Sequence, residues 1–294
     1  MDVPVLIIGF NRPDLLQILI NRLREINPKT VYLAVDGPRE NYPNDKLKVS
    51  EVHACFELID WDCEKKSLFR TENLGCRHGV TASIDWFFSQ QPLGIILEDD
   101  CIPAPEFFSY CRELLHLYKD DKRVFSISGY NPASNTNFQE CPYDYWFYPT
   151  AIGWGWAGWS DRWKFYNDTP ALYNEVVENG ALLLQTDDSW FGHKYLTLVR
   201  EVLNDKIVTW DYIWSYTHLL QNGLSIIPKY NYINNIGYNH PDATHKFPST
   251  FKISEIHIPA KSTGLTHPPY MFRHRLFEDE LKAQYLPPQI NILV

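Results

Sequence analysis

The sequence has no surplus of basic residues. Its 27 Lys and Arg are outnumbered by 36 Asp and Glu, which gives a formal net charge of -9. A protein that binds DNA or RNA along the phosphate backbone needs an excess of Lys and Arg on the contacting surface. Nucleic acid is therefore not an expected partner, although a single nucleotide can still be bound locally.

The sequence also lacks a long apolar run. No segment approaches the roughly 20 apolar residues that a membrane-spanning helix requires. Residues 1–13 enter an apolar run without the basic flank and small-residue cleavage site of a secretory signal. We therefore predict no transmembrane segment and a cytoplasmic location, either free or peripheral to the membrane.

Closely spaced cysteine pairs are absent as well. The 6 cysteines are scattered without a CxxC pair, the spacing that many zinc and redox sites use. A chain of 294 residues can bury a substantial core without disulfide bonds. We interpret the cysteines as reduced thiols.

Apolar runs and helical patterns alternate through the first half of the chain, without an internal repeat or a low-complexity linker. Short continuous apolar runs predict buried strands, and apolar residues at helical spacing between them predict covering helices. The predicted strands are 3–9, 30–35, 67–70, 93–97 and 123–128. This order predicts an α/β fold with a mixed, mainly parallel sheet flanked by helices.

The second half is rich in aromatic residues. Of the 10 tryptophans in the chain, most lie between Trp146 and Trp214. We predict helices at 187–204 and 210–222 and a strand at 224–228. The segment 152–159 is too rich in glycine for a stable helix and too aromatic for a solvent loop, so we interpret it as a binding surface.

Three consecutive acids, Glu98, Asp99 and Asp100, end the predicted fourth strand. Neighbouring like charges raise each other's pKa and oppose ionisation, and a divalent cation relieves this cost. On a strand, Glu98 and Asp100 point to one face, so these two predict a site for Mn²⁺ or Mg²⁺ shared with substrate phosphates. The alternative is a solvated turn in which one carboxylate caps the helix at Pro105.

The acids and the segment 102–108 that follows them resemble the metal motif of GT-A glycosyltransferases, in particular the N-acetylglucosaminyltransferase I type and its bacterial relatives. Residues 4–12 and 35–37 are similar to the base-binding loops of that family. The resemblance implies that Arg12 helps to hold the nucleotide and that Asp36 accepts a base N–H. It also implies that Asp99 meets the ribose or sugar and that Asp100 ligates the metal.

The segment 73–79 also fits this family. Gly75 permits a close approach of backbone to ligand, and Arg77 and His78 are predicted to face the donor sugar or phosphate. The alternative is a surface turn that opens a helix, with His78 as a cap. Arg12 and Asp36 likewise have an alternative in a local turn or ion pair.

Sugar transfer with inversion needs a carboxylate that takes the proton from the attacking hydroxyl. Asp211 is our candidate, because it begins a helix between aromatic rings and its position is similar to that of the acid before the late aromatic helix in the family. Tyr212 departs from the family, which tends to show a second acid there. The alternative is that Asp211 only caps the helix. Asp187 and Asp188 are competing candidates.

Indole rings suit the flat, hydroxyl-rimmed faces of sugars, so we predict that Trp154 and Trp156 line the sugar site. Their alternative is core packing, to which we assign Trp146 and Trp163. A late polar cluster, formed by residues 234–238 and 242–245, supplies His245 as a further candidate ligand for the metal or diphosphate, with His240 second.

These observations predict a metal-dependent glycosyltransferase that moves a sugar from a nucleotide diphosphate donor, a UDP-sugar, to a hydroxyl of a saccharide or glycoconjugate acceptor. Residues 1–130 would form the nucleotide-sugar half and 131–294 the acceptor and catalytic half of one domain. Family analogy points to polysaccharide biosynthesis. One alternative is a sugar nucleotidyltransferase. Enzymes of that class normally have a glycine-rich, basic loop after the first strand, and residues 9–12 do not form one. The other is a non-catalytic carbohydrate-binding protein.

Overall fold

The computed structural model describes residues 2–133, 138, 140–185, 189–238, 240–243, 256 and 264–285. The strands are β1 (Val5–Gly9), β2 (Thr30–Val35), β3 (Glu64–Phe69), β4 (Leu93–Glu98), β5 (Cys101–Pro103), β6 (Val124–Ser128), β7 (Tyr145–Tyr148), β8 (Trp156–Trp159), β9 (Leu224–Pro228) and β10 (Ile233–Asn235). The helices are α1 (Pro13–Ile26), α2 (Asp45–Ala54), α3 (Gly75–Phe88), α4 (Pro105–Leu117), α5 (Ser160–Trp163), α6 (Pro170–Glu178), α7 (Ala181–Gln185), α8 (Ser189–Leu203), α9 (Asp211–Leu220) and α10 (Arg275–Tyr285).

Eight of the strands form one mixed sheet in the order β3-β2-β1-β4-β8-β6-β9-β7. Strands β3, β2, β1 and β4 run parallel to one another, as predicted. Every residue of β1 is buried, because helices cover both faces of the sheet and leave no face for polar side chains. The fold is the predicted α/β class.

Helix α1 shows how the sequence sets a covering helix. Pro13 occupies the first turn, where its missing N–H costs nothing. The helix ends before Asn27, which adopts a left-handed conformation and donates its N–H to the carbonyl of Leu23. Its buried side chains recur at helical spacing and face the sheet.

The aromatic segment of the second half corrects one expectation. Residues 156–159, predicted as part of an exposed binding surface, form β8, which runs antiparallel between β4 and β6 in the middle of the sheet. All four residues of β8 are buried. Strand β7, also aromatic, pairs with β9 at one edge. Strands from both predicted halves therefore share a single sheet.

Tryptophan side chains fill the core on one face of this sheet. Trp156 packs with Trp163 and Trp214 at ring-centroid distances of 6.0 and 5.9 Å. Trp163 is buried in this cluster and Trp146 is buried in another, so the prediction that both belong to the core is confirmed.

The carboxyl ends of β1, β2 and β4 meet at one edge of the sheet. Ile8 of β1 lies opposite Glu98 of β4, and Gly9 lies opposite Val35 of β2. Ligands of open parallel sheets bind at this edge. Among the described residues, no helix is both long enough and apolar enough to cross a membrane.

Candidate active site

A cavity of about 380 Å³ opens at this edge of the sheet, a volume suited to a small-molecule ligand. The loop after β1, the end of β4, the start of α3, the start of α9 and the segment after β10 all contribute to its wall. The residues that line it are Arg12, Cys76, Glu98, Asp100, Gly153, Trp154, Ile207, Thr209, Trp210, Asp211, Tyr212, Asn235, Gly237, Tyr238 and Ala243.

The three acids after β4 are divided between the cavity and the interior. Glu98 and Asp100 line the cavity. Asp99 is turned inward with 2% of its side chain exposed, and its N–H donates to the carbonyl of Ile8. The alternation of side chains along an extended backbone explains this division. Asp99, predicted to meet the ribose or sugar, instead holds the side chain of Arg12.

Burial and mutual repulsion disfavour ionisation of this cluster. Burial raises the pKa of Glu98 to about 8, and the charges of Asp100 and Asp99 act in the same direction. Burial also raises the pKa of Asp99 to about 6, although Arg12 opposes the shift. Ionisation of these acids therefore depends on positive charge nearby.

Arg12 forms ion pairs with two of these acids, Asp99 and Asp100. Its Nη1 donates to Asp100 Oδ2 at 2.9 Å, and its Nε and Nη2 donate to the two carboxylate oxygens of Asp99. Arg12 directly precedes α1, so the short loop after β1 brings it beside the acids. A nucleotide that contacts Arg12, as predicted, would therefore meet a guanidinium that is already paired with two carboxylates.

The available ligand atoms limit how a metal ion could be held in the cavity. Within the described part of the chain, no group of three or more His, Cys, Asp or Glu side chains could hold a metal ion. Glu98 and Asp100 supply the hard oxygen atoms that Mg²⁺ and Mn²⁺ prefer, and such ions commonly take one or two carboxylates and complete their shell with water and phosphate. The residues present thus fit a cation that is shared with a diphosphate.

His245 and His240 are the two histidines that the sequence predicted as ligands of the metal or diphosphate. His245 lies outside the described residues. The Nε2 atom of His240 lies 3.2 Å from Asp14 Oδ2, at the start of α1. This pair connects the segment after β10 to the first helix.

Asp211 enters the cavity from a distant part of the chain. It is the first residue of α9, and the residue at the cap position is Trp210. The hydroxyl of Thr209 donates to Asp211 Oδ1 at 2.5 Å. Gly153 packs closely beside it, since a β-carbon on Gly153 would lie 3.3 Å from the β-carbon of Asp211. Trp154, half-buried, lies on the same wall.

Asp36 is engaged by backbone amides. Its carboxylate accepts hydrogen bonds from the N–H groups of Gly37, Leu74 and Gly75 at 3.0 to 3.1 Å. Burial raises the pKa of Asp36, and these hydrogen bonds oppose the rise. Gly75, whose φ is 77°, begins α3 at this point and does not line the cavity. The predicted contact of Asp36 with a base would have to form beside these three hydrogen bonds, since a carboxylate can accept about four.

Three further predicted contact residues also lie outside the cavity wall. Arg77 donates to Asp168 Oδ2 at 2.9 Å and to the carbonyl of Val202 at 3.2 Å. His78 is exposed and does not line the cavity, and Trp156 is 1% exposed in the core. Successive helical residues point about 100° apart, so Cys76 faces the cavity while Arg77 and His78 turn away from it.

Several cavity residues carried little or no signal in the sequence. Thr209 stands two residues before Asp211, a spacing that could have indicated a partner. Gly237 belongs to the late polar cluster noted in the sequence. Cys76 had no local signal. Burial, followed by the charges of Glu98 and Asp211, raises its pKa, which keeps the thiol protonated.

No protein-family model matches the chain. Solved structures share parts of the fold at low similarity. HddC from Yersinia pseudotuberculosis is 10% identical, with 57% of this chain and 80% of that chain covered and a TM-score of 0.33. UDP-glucose pyrophosphorylase in complex with UDP-glucose is 8% identical, with 79% and 93% covered and a TM-score of 0.38. A proposed glucose-1-phosphate thymidylyltransferase from Bacillus anthracis is 8% identical, with 70% and 84% covered and a TM-score of 0.31. None of the three carries the name of a glycosyltransferase, and similarity at this level bears on neither reaction nor substrate.

Proposed function

We propose that the chain is a divalent-cation-dependent glycosyltransferase that moves a sugar from a UDP-sugar to a hydroxyl of a saccharide or glycoconjugate. The observation that supports this proposal best is that Glu98, Asp100 and Asp211 line the same cavity. Two acids can hold a divalent cation that stabilises an anionic leaving group, together with a nearby guanidinium. A separate carboxylate beside a hydroxyl donor can accept the proton of an attacking hydroxyl.

Four side chains in the cavity wall have a role in this reaction. Asp211 accepts the proton of the acceptor hydroxyl, and Thr209 holds one carboxylate oxygen of Asp211 so that its orientation is defined. A base separate from the leaving-group site is the arrangement expected for transfer with inversion. Glu98 and Asp100 would hold Mn²⁺ or Mg²⁺, which supplies positive charge to the departing diphosphate.

Trp154 and Arg12 supply binding contacts. The half-buried indole of Trp154 lines the cavity, and an indole ring suits the apolar face of a sugar ring. The guanidinium of Arg12 can pair with phosphate oxygens, because its planar donors match phosphate geometry.

A sugar nucleotidyltransferase is the second candidate, since it needs the same sheet and the same acidic ligands. Two of the three solved structures described above carry names of that class. Only three residues, 10–12, separate β1 from α1, and Arg12 is the one basic residue among them. Such a loop does not provide the row of glycine amides and cations that grips a triphosphate.

Product analysis separates the candidates. The protein is incubated with a panel of UDP-sugars and Mn²⁺, and the release of UDP and free sugar is followed beside the formation of UTP from UDP-sugar and pyrophosphate. We expect slow release of UDP that EDTA abolishes. UTP formation would support the nucleotidyltransferase, and the lack of either product with all donors would favour a carbohydrate-binding protein.

Matched variants connect this reaction to the cavity. Asp211→Asn and Asp100→Asn keep the side-chain shape and remove the charge, and both should abolish UDP release. Asp120→Asn changes an exposed carboxylate outside the cavity wall and should leave the rate unchanged. Full activity of both cavity variants would contradict the proposal.

A further inference from the structure

Both carboxylate oxygens of Asp100 are engaged, Oδ2 by Arg12 and Oδ1 by the thiol of Cys101, which donates to it at 3.5 Å. Arg12 Nη1 lies 2.9 Å from Asp100 Oδ2, and the other donors of Arg12 are committed to Asp99. The pairing is well shielded, since Arg12 and Asp100 each expose 15% of their side chains and Asp99 exposes 2%. Solvent screening therefore weakens it little.

The segment after β10 closes over this pair. The N–H of Ile236 donates to the carbonyl of Asp100 at 2.9 Å, which holds the segment against the end of β4. A β-carbon on Gly237 would overlap Asp100 Oδ2 and would lie 2.7 Å from Arg12 Nη1. The backbone of Gly237 is thus in close contact with both partners, and little space is left beside Asp100 Oδ2.

The guanidinium keeps its charge in this position. Arginine stays protonated in proteins, and the carboxylates of Asp99 and Asp100 that contact Arg12 favour its charged form. A divalent cation that joined Asp100 while Arg12 stayed in place would stand next to a fixed positive charge. Repulsion between the two cations would oppose this binding.

We propose that Arg12 and a divalent cation exclude each other from Asp100, so that the cation binds with high affinity only when a nucleoside diphosphate draws Arg12 away. This inference rests on the proposed function, because it takes Asp100 as the cation ligand. The diphosphate is a fitting acceptor for Arg12, since it offers the paired anionic oxygens that guanidinium groups prefer. Arg12 would thereby make cation binding depend on the donor.

Mn²⁺ and UDP are the two probes that test this dependence, and no sugar donor is needed. Free Mn²⁺ is measured by its EPR signal during titration of the parent protein and of Arg12→Gln, with and without UDP. For the parent, we expect UDP to tighten Mn²⁺ binding at least about tenfold. For Arg12→Gln, we expect Mn²⁺ without UDP to bind about tenfold more tightly than to the parent.

A matched control is Arg123→Gln. Arg123 also forms a two-pronged ion pair, with Asp121 at 2.7 and 2.9 Å, but it does not line the cavity. Its loss should leave the Mn²⁺ affinity unchanged. Arg12→Lys keeps the charge but lacks the planar set of donors that contacts both carboxylates, so its Mn²⁺ affinity without UDP should lie between those of the parent and Arg12→Gln. This variant tests the proposal even where Arg12→Gln does not fold.

The outcomes separate this inference from the proposed function. Tightening of Mn²⁺ by UDP in the parent, together with no gain in Mn²⁺ affinity in Arg12→Gln or Arg12→Lys, would overturn the competition but leave the metal site standing. Failure of the parent to bind Mn²⁺ even with UDP would overturn both. Unchanged Mn²⁺ binding by Asp100→Asn would also overturn both, because the ion would then lie elsewhere.

Discussion

The hydroxyl of Thr209 donates a 2.5 Å hydrogen bond to Oδ1 of Asp211, and both side chains line the cavity. The bond joins the residue two positions before α9 to the first residue of that helix. A hydrogen bond to one carboxylate oxygen restricts the orientation of the whole group. Thr209 is thus a positioning residue for the proposed base.

Replacement of Thr209 by Val should lower the rate of UDP release about tenfold, because a hydrogen bond to a charged group is lost. Thr209→Ser keeps the hydroxyl and should retain most of the rate. The KM for the UDP-sugar should stay the same in both variants. Equal rates for the Val and Ser variants would show that the hydroxyl has no part in the reaction.

Two tryptophans that stand two residues apart should respond differently to truncation. Trp154→Ala should weaken the binding of a UDP-sugar about tenfold and leave that of UDP unchanged, because the indole faces the cavity. Trp156→Ala should instead cost about 3–5 kcal/mol of unfolding free energy, since it empties a core position. Calorimetric titration measures the first effect and urea unfolding the second. A large loss of stability in the Trp154 variant alone would contradict this assignment.

Asp36→Asn should destabilise the protein by about 2 kcal/mol, because the amide nitrogen of Asn cannot accept the backbone hydrogen bonds at the start of α3. Urea unfolding without ligand measures this effect. The base contact implied by the family resemblance makes a separate prediction, a weaker preference for UDP over CDP. An unchanged unfolding free energy would argue against the structural role.

His218 should make the protein sensitive to acid. It is buried, its Nδ1 lies 2.8 Å from the carbonyl of Trp214 and its Nε2 lies 2.9 Å from the hydroxyl of Ser126. Burial lowers the pKa of His218 from 6.5 to about 3, and the hydrogen bond to Trp214 opposes the shift only in part. Between these two pKa values the unfolded chain binds a proton that the folded chain excludes, so stability falls as pH falls from about 6.5 towards 3.

At pH 5 this effect should reach about 2 kcal/mol relative to pH 7.5. Urea unfolding at the two pH values measures it, and His218→Gln should show a smaller difference between them. The same pH dependence in the parent and the variant would assign the acid sensitivity to other groups.

Much of the fold could be predicted because its signals are local. A strand buried on both faces must be apolar throughout, so β1 and β2 stand out as continuous runs between polar loops. Strand β8 has no such signature, because Trp156, Ala157, Gly158 and Trp159 fit a loop as well as a strand. Its place in the sheet was decided by antiparallel pairing with β4 and β6, which lie far away in the chain.

The candidate site divides in the same way. The sequence by itself determined that acids end a buried strand, because a run of carboxylates after an apolar segment is visible without coordinates. Only the tertiary structure decided which of them face a cavity and that Arg12, Cys76, Asp211 and Gly237 join them there. It also decided that Arg77 turns towards Asp168. The physical reason is that helix phase and long-range packing, which no local pattern encodes, determine which polar side chains meet.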